Sequence, residues 1–139
     1  MIAAISLMRR RPDLTLAQFR KHWLDPHGVM TAELPGTRYY IQSHFIDGLG
    51  TNDLARRLKI DGMPELWYDS YAARKVAYSS PRIAECNIDS EQFVGEVTRL
   101  VTEPRVTKQA SDNPKPVKVV MLATGKIDHD WAERAEQRC

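Results

Sequence analysis

Proton chemistry near neutral pH calls for an imidazole, a carboxylate or a phenol, and the stretch FRKHWLDPHG, Phe19 to Gly28, gathers several candidates. His22 and His27 stand five positions apart, with Asp25 between them and Pro26 just before the second histidine. A neutral imidazole with a pKa of about 6.5 can give or take a proton, so His27 is a candidate general acid or base. Its alternative role is a hydrogen-bonded histidine at a helix break. At about 100° per residue, five positions separate two helical side chains by roughly 140°, so His22 and His27 would share a metal only if Pro26 redirects the chain. A site of His22, Asp25 and His27 would need that redirection, and no metal is expected. His22 is read as a partly buried packing histidine bordering the pocket.

A second set lies on two strand-like segments. In PGTRYYIQSHFID, strand alternation puts Tyr40, Gln42, His44 and Ile46 on one face and Tyr39, Ile41, Ser43 and Phe45 on the other. The first face carries a phenol, an amide and an imidazole; the phenol could polarise a carbonyl or hold an enolate while a histidine moves the proton. In IDGMPELWYDS, Glu65 and Trp67 share a face. If that face lines a pocket, Trp67 is an apolar wall for a flat substrate and Glu65 a desolvated carboxylate of raised proton affinity. The alternative is a glutamate at an exposed sheet margin. Arg38 could pair with an acidic substrate, or be an exposed arginine at a strand entrance.

These residues must be positioned by the elements around them. IAAISLMRR is an apolar run fit for a strand buried on both faces. RPDLTLAQFRKHW supplies a turn and a capping box, Thr15 with Gln18, before a helix whose packed side is Leu16, Phe19, His22 and Trp23. That helix should end or kink at Pro26, and Asp25 could cap a further turn in PHGVMTAEL. A polar loop, DGLGTNDLARRLK, joins strands two and three. SYAARKVAYSSP reads as a second helix begun at Asp69 or Ser70, IDSEQFVGEV as a short capped helical turn, and VTRLVTEPRV as strand four. The order βαββαβ implies an α+β domain, an antiparallel sheet with helices on one face.

One domain over residues 1–106 suits a chain of 139 residues. A polar linker follows at 107–116, then a strand-helix extension at 117–139 that either docks on a partner or opens a partial second repeat. Hydrophobic content of 42% and charged content of 27% are ordinary globular values. With a net charge of +2 and scattered basic residues, no nucleic-acid partner is expected. Cys86 and Cys139 lack metal-site or redox-pair spacing and read as incidental thiols. No apolar run is long enough to span a bilayer, and MIAAISLM precedes its arginines rather than following them, so no membrane association and a cytoplasmic location are expected.

With RRRPDLTLAQFRKHW and its following PHG, LPGTRYY, DGMPELWYDS, and SSP before IDSEQFV in this order, the chain resembles the EthD family of the dimeric α+β barrel superfamily over about residues 2 to 106. The resemblance implies a ferredoxin-like sheet that pairs with the same sheet of a second subunit, leaving a pocket between sheet and helices in each. Among the relatives it brings in, a methylmuconolactone methylisomerase works without metal or organic cofactor, and fungal members act as dehydratases or decarboxylases on aromatic polyketides. The isomerase's pocket histidine and tyrosine fall on His27 and Tyr40, while its pocket cysteine falls on Leu66, which argues against the same lactone chemistry. The expectation is therefore a cofactor-independent isomerase or lyase acting on a cyclic aromatic or lactone-like oxygenated molecule. His27 and Tyr40 would be catalytic, and His44, Trp67, Glu65, His22 and Arg38 would line the pocket. A non-catalytic binding or accessory protein of a catabolic oxygenase pathway, and a cofactor-free monooxygenase, are the alternatives; haem binding also occurs in the wider superfamily.

Overall fold

A strand that is apolar on both sides belongs inside a sheet, and β1, Ile2–Arg10, takes that place with Ile2, Ala3 and Ala4 all buried. In the computed structural model, residues 1–45 and 58–104 are described. They form α1 (Leu16–His22), a wide turn (Trp23–His27), α2 (Gly28–Ala32), β2 (Tyr39–His44), β3 (Gly62–Tyr68), α3 (Tyr71–Ala77), α4 (Pro81–Ser90) and β4 (Val94–Thr102). The sheet order is β2-β3-β1-β4, antiparallel throughout, so β3 lies between the two strands joined through α1. This is the ferredoxin-like arrangement. The chain divides into two units, Met1–Arg105 and Val106–Cys139. Most of the loop between β2 and β3, the 107–116 linker and the 117–139 extension lie outside the described residues.

Local chemistry sets the helix boundaries. Thr15 caps α1: its hydroxyl accepts from the Gln18 amide at 3.2 Å, while Gln18 accepts from the Thr15 amide at 2.8 Å. The apolar stripe of α1 continues into Trp23, and Phe19 and Trp23 are fully buried. The helical path breaks at Asp25 (φ −154°, ψ 116°), the residue before the proline, as steric conflict with a proline ring requires. Asp25 itself is exposed and caps nothing, because α2 starts directly from helical backbone at His27.

The second helical region differs from the sequence expectation. Ser70 caps α3, accepting from the Ala73 amide at 3.1 Å, but IDSEQFVGEV is not a separate helical turn. Pro81 occupies the first turn of α4, a ten-residue helix that runs through Ser90, and β4 already begins at Val94. Asp89 is thereby carried on the last turn of a helix.

Even-numbered residues of β1 and β3 face the helices. Ile2, Ala4, Leu66 and Tyr68 form one apolar cluster with Leu34 and Ala77; Met8 forms another with Phe19, Trp23 and Phe93. Between the two clusters lies the cavity.

Candidate active site

The cavity has a volume of about 100 Å³ and draws its wall from both clusters, including Met8, Trp23, Leu34 and Leu66. His27, Tyr40, Thr31, Cys86, Ser90 and Arg99 supply polar groups. A wider cleft of about 570 Å³ shares Tyr78, Asn87, Ser90, Val94, Val97 and Arg99 with it.

His27 stands on the wide turn, only 8% exposed. Its Nδ1 lies 2.8 Å from Asp89 Oδ2, and Nε2 of His22 lies 3.0 Å from the other oxygen of that carboxylate. The break at Asp25 thus brings the two histidines together, on a carboxylate from α4 rather than on Asp25. Because the carboxylate accepts, Nδ1 of His27 carries the proton and Nε2 keeps its lone pair; Nε2 has no hydrogen-bond partner among the described residues. Phe93 packs against both rings, with centroids at 4.8 Å for His27 and 5.0 Å for His22. Asp89 is the functional candidate that the sequence reading missed. No group of three or more His, Cys, Asp or Glu side chains able to hold a metal occurs among the described residues.

Burial pushes the pKa of His27 below its ordinary 6.5, and the neighbouring Asp89 opposes this without overcoming it. His44 is also lowered, first by burial and then by the charge of Arg20. An unfolded histidine protonates near 6.5 while these two stay neutral to lower pH, so the unfolded chain binds more protons in that interval. Their neutral burial is therefore fully stabilising above about pH 6.5, and stability falls as pH drops below it. Thermal unfolding followed from pH 8 to pH 5 should show the midpoint falling below about pH 6.5, with a shallower fall in His27→Gln.

Tyr40 reaches the cavity from β2. Its oxygen accepts from Trp23 Nε1 at 3.1 Å and from Gln42 Nε2 at 2.9 Å. With two donors on the oxygen, the phenol's remaining capacity is to donate. Burial raises its pKa, against the pull of Gln42, Trp23 and Thr31, so it stays protonated at neutral pH. Gln42 Nε2 also donates to the Trp23 carbonyl at 2.9 Å, leaving Oε1 to accept from His44 Nε2 at 3.1 Å. His44 packs on Trp23, centroids 4.4 Å apart, and does not line the cavity; it orients Gln42 and through it Tyr40. Two glycines make this network possible. A Cβ on Gly28 would lie 2.7 Å from Gln42 Nε2, and one on Gly62 would lie 2.3 Å from Trp23 Cζ3.

The other four pocket expectations, Glu65, Trp67, Arg38 and His22, are corrected as His44 is: none lines the cavity. Glu65 and Trp67 lie on the opposite face of the sheet: Leu66 pairs with Tyr40 and turns toward the helices, so its neighbours turn away. Glu65 is buried there, paired across the strands with Ile5 and Ile41. Arg38 is exposed and bound to Asp69, with Nε 2.9 Å from Oδ2. His22 meets the site through Asp89 and is not on the cavity wall. Cys86, read as incidental, is buried in the wall, where burial pushes its thiol pKa up.

Fold and site together define a ferredoxin-like α+β protein with a pocket between sheet and helices. The chain belongs to the EthD family: the EthD domain profile matches residues 11–96. An EthD (ethyl tert-butyl ether) family protein from Bacillus halodurans is similar in structure, with a TM-score of 0.63 at 21% identity, over 76% of this chain and 99% of that one. A dimeric ferredoxin-like protein of unknown function from Bacteroides fragilis gives 0.56 at 10% identity, over 73% and 94%. SnoaB, a cofactor-independent oxygenase from Streptomyces nogalater, gives 0.56 at 10% identity, over 82% and 97%. No curated protein matches. Among the described residues, no helix is long and apolar enough to cross a membrane.

Proposed function

We propose that the chain is an isomerase or lyase that moves a proton on a small cyclic oxygenated molecule, using His27 and Tyr40. The observation that carries this reading is one cavity lined by both an imidazole held by a carboxylate and a phenol fixed as a donor. His27 Nε2 takes a proton from carbon beside a carbonyl. The electron pair moves to the carbonyl oxygen, and the Tyr40 hydroxyl donates to the resulting enolate. Returning the proton at another carbon isomerises the substrate; expelling a leaving group from the enolate completes an elimination. Asp89 positions His27, and the Trp23, Gln42 and His44 chain positions Tyr40. These steps use side chains alone.

Size bears on the substrate. A cavity of about 150 Å³ accepts benzene, so a ring would enter the 100 Å³ chamber only in part and extend into the cleft. A homodimer belongs to the same reading. Tyr39, Ile41 and Leu100 are 60%, 40% and 42% exposed on the sheet face away from the helices, a surface a second sheet would cover. A monomer by sedimentation would remove that part.

The function is tested by proton NMR of the full-length protein in deuterated buffer with substituted muconolactones and hydroxylated aromatic acids. Deuterium entering beside a carbonyl, or new product resonances, is the expected result. Binding without exchange across the panel would favour an accessory ligand-binding protein, and turnover that requires oxygen would favour a monooxygenase. With a substrate in hand, Tyr40→Phe should lower kcat roughly 10²- to 10³-fold while KM changes little, because the donor acts mainly on the developing oxyanion.

A further inference from the structure

Arginine side chains in a folded protein usually find an acceptor, and most of those described here do. Arg9 pairs with Glu96, Arg10 with Asp61, Arg11 with Asp13, Arg38 with Asp69 and Arg82 with Glu33 and Glu85, while Arg20 donates to the Phe45 carbonyl. Among the described arginines, Arg74 and Arg99 alone have neither a carboxylate within 4.0 Å nor a hydrogen-bond acceptor. Both line the 570 Å³ cleft over the cavity. Nε of Arg74 is buried without a partner, a costly state for a charged donor. Its guanidinium carbon lies 4.1 Å from the ring centre of Tyr78, a cation–π contact. Arg99 extends from β4 opposite Ser6 and lines cavity and cleft alike. Two carboxylates also line the cleft: Glu96, already held by Arg9, and Glu91. The free charge there is predominantly positive.

We propose that this cleft binds a carboxylate, so that the substrate is a small cyclic organic acid whose acid group sits at Arg74 and Arg99 while its reacting carbon enters the chamber of His27 and Tyr40. The inference rests on the proton-transfer reading of that chamber and adds the substrate's charge. A guanidinium offers planar, paired N–H donors that match both oxygens of a carboxylate, whereas its neutral amide offers one acceptor oxygen and no charge. Tyr78, Ser90 and Val97 line both cleft and chamber, so the two adjoin.

The test compares benzoate with benzamide, and cyclohexanecarboxylate with its amide, by nitrogen-edited NMR titration of the full-length chain. The acids are expected to bind at least about tenfold more tightly than the amides and to shift the amides of Tyr78, Ser90, Val97 and Arg99. In Arg74→Met and Arg99→Met, which keep much of the aliphatic stem, that preference should fall about tenfold, and Arg74→Lys should recover part of it. Equal binding of acid and amide, acid shifts confined to other surfaces, absence of acid binding, or variants that keep the full preference would each overturn the proposal. Acid preference without deuterium exchange on any compound would support the carboxylate site and count against proton transfer. Exchange on a neutral lactone with no acid preference would do the reverse.

Discussion

Replacing His27 by alanine should lower turnover by roughly 10²- to 10⁴-fold, the range for losing a positioned general base. The effect should fall on kcat and on kcat/KM together, because in the proposed reaction the imidazole acts on the proton in flight and contributes little to ground-state binding. Asp89→Asn should do less. An asparagine keeps the shape and can still accept from Nδ1, but it removes the charge that opposes the burial-driven fall in the His27 pKa. Initial rates of product formation for wild type and the two variants, measured from pH 5 to pH 9, would separate these effects. Full turnover in His27→Ala would remove His27 from the mechanism.

The largest effect on stability is expected from Gly62→Ala. The added methyl would sit 2.3 Å from Cζ3 and 2.8 Å from Cη2 of Trp23, and that ring has no room to withdraw. It is fully buried, with Phe19 at 5.7 Å and His44 at 4.4 Å between centroids. Overpacking of a dense core typically costs about 1–3 kcal/mol, and a collision with an immobile ring belongs at or above the upper end. Denaturant titration should therefore show a loss of about 3 kcal/mol or more. A tilted indole would also withdraw its N–H from Tyr40, so any folded fraction should show reduced activity.

The role of Gly62 illustrates what the sequence could and could not convey. Its neighbours Glu65, Leu66 and Trp67 gave the strand, but β3 is buried on both faces over most of its length, and period-two alternation then names two faces without saying which meets the helices. The expectation that Glu65 and Trp67 face the pocket fails for that reason. Strand two posed no such difficulty: Tyr39 and Ile41 are exposed while Tyr40 and Gln42 turn inward, so its phenol, amide and imidazole were correctly grouped on one face. The capping box at Thr15 and the buried stripe of Phe19 and Trp23 were legible because each is a local pattern.

Asp89 does not stand out in the sequence because the segment that carries it, IDSEQFVGEV, reads as a short turn rather than the end of a helix. The signal was present in Ser80 and Pro81 as helix start, and in Ile83, Cys86 and Ser90 at near-helical spacing on one side. A mostly polar helix weakens that periodicity. The meeting of His22, His27 and Asp89 is a tertiary fact besides: it depends on how far the Asp25 break turns the chain and on where α4 comes to rest. Arg74 and Arg99 likewise become conspicuous only once the partners of the other arginines are known.

The central claim is that His27 is a neutral base, protonated on Nδ1 by its bond to Asp89 and presenting Nε2 to the cavity. Long-range proton–nitrogen NMR of the ring, titrated through neutral pH in wild type and Asp89→Asn, tests it most directly. The expected result is the Nδ1–H tautomer with a pKa below 6.5, moving lower when Asp89 loses its charge. An imidazolium at pH 7, or a proton resident on Nε2, would contradict it.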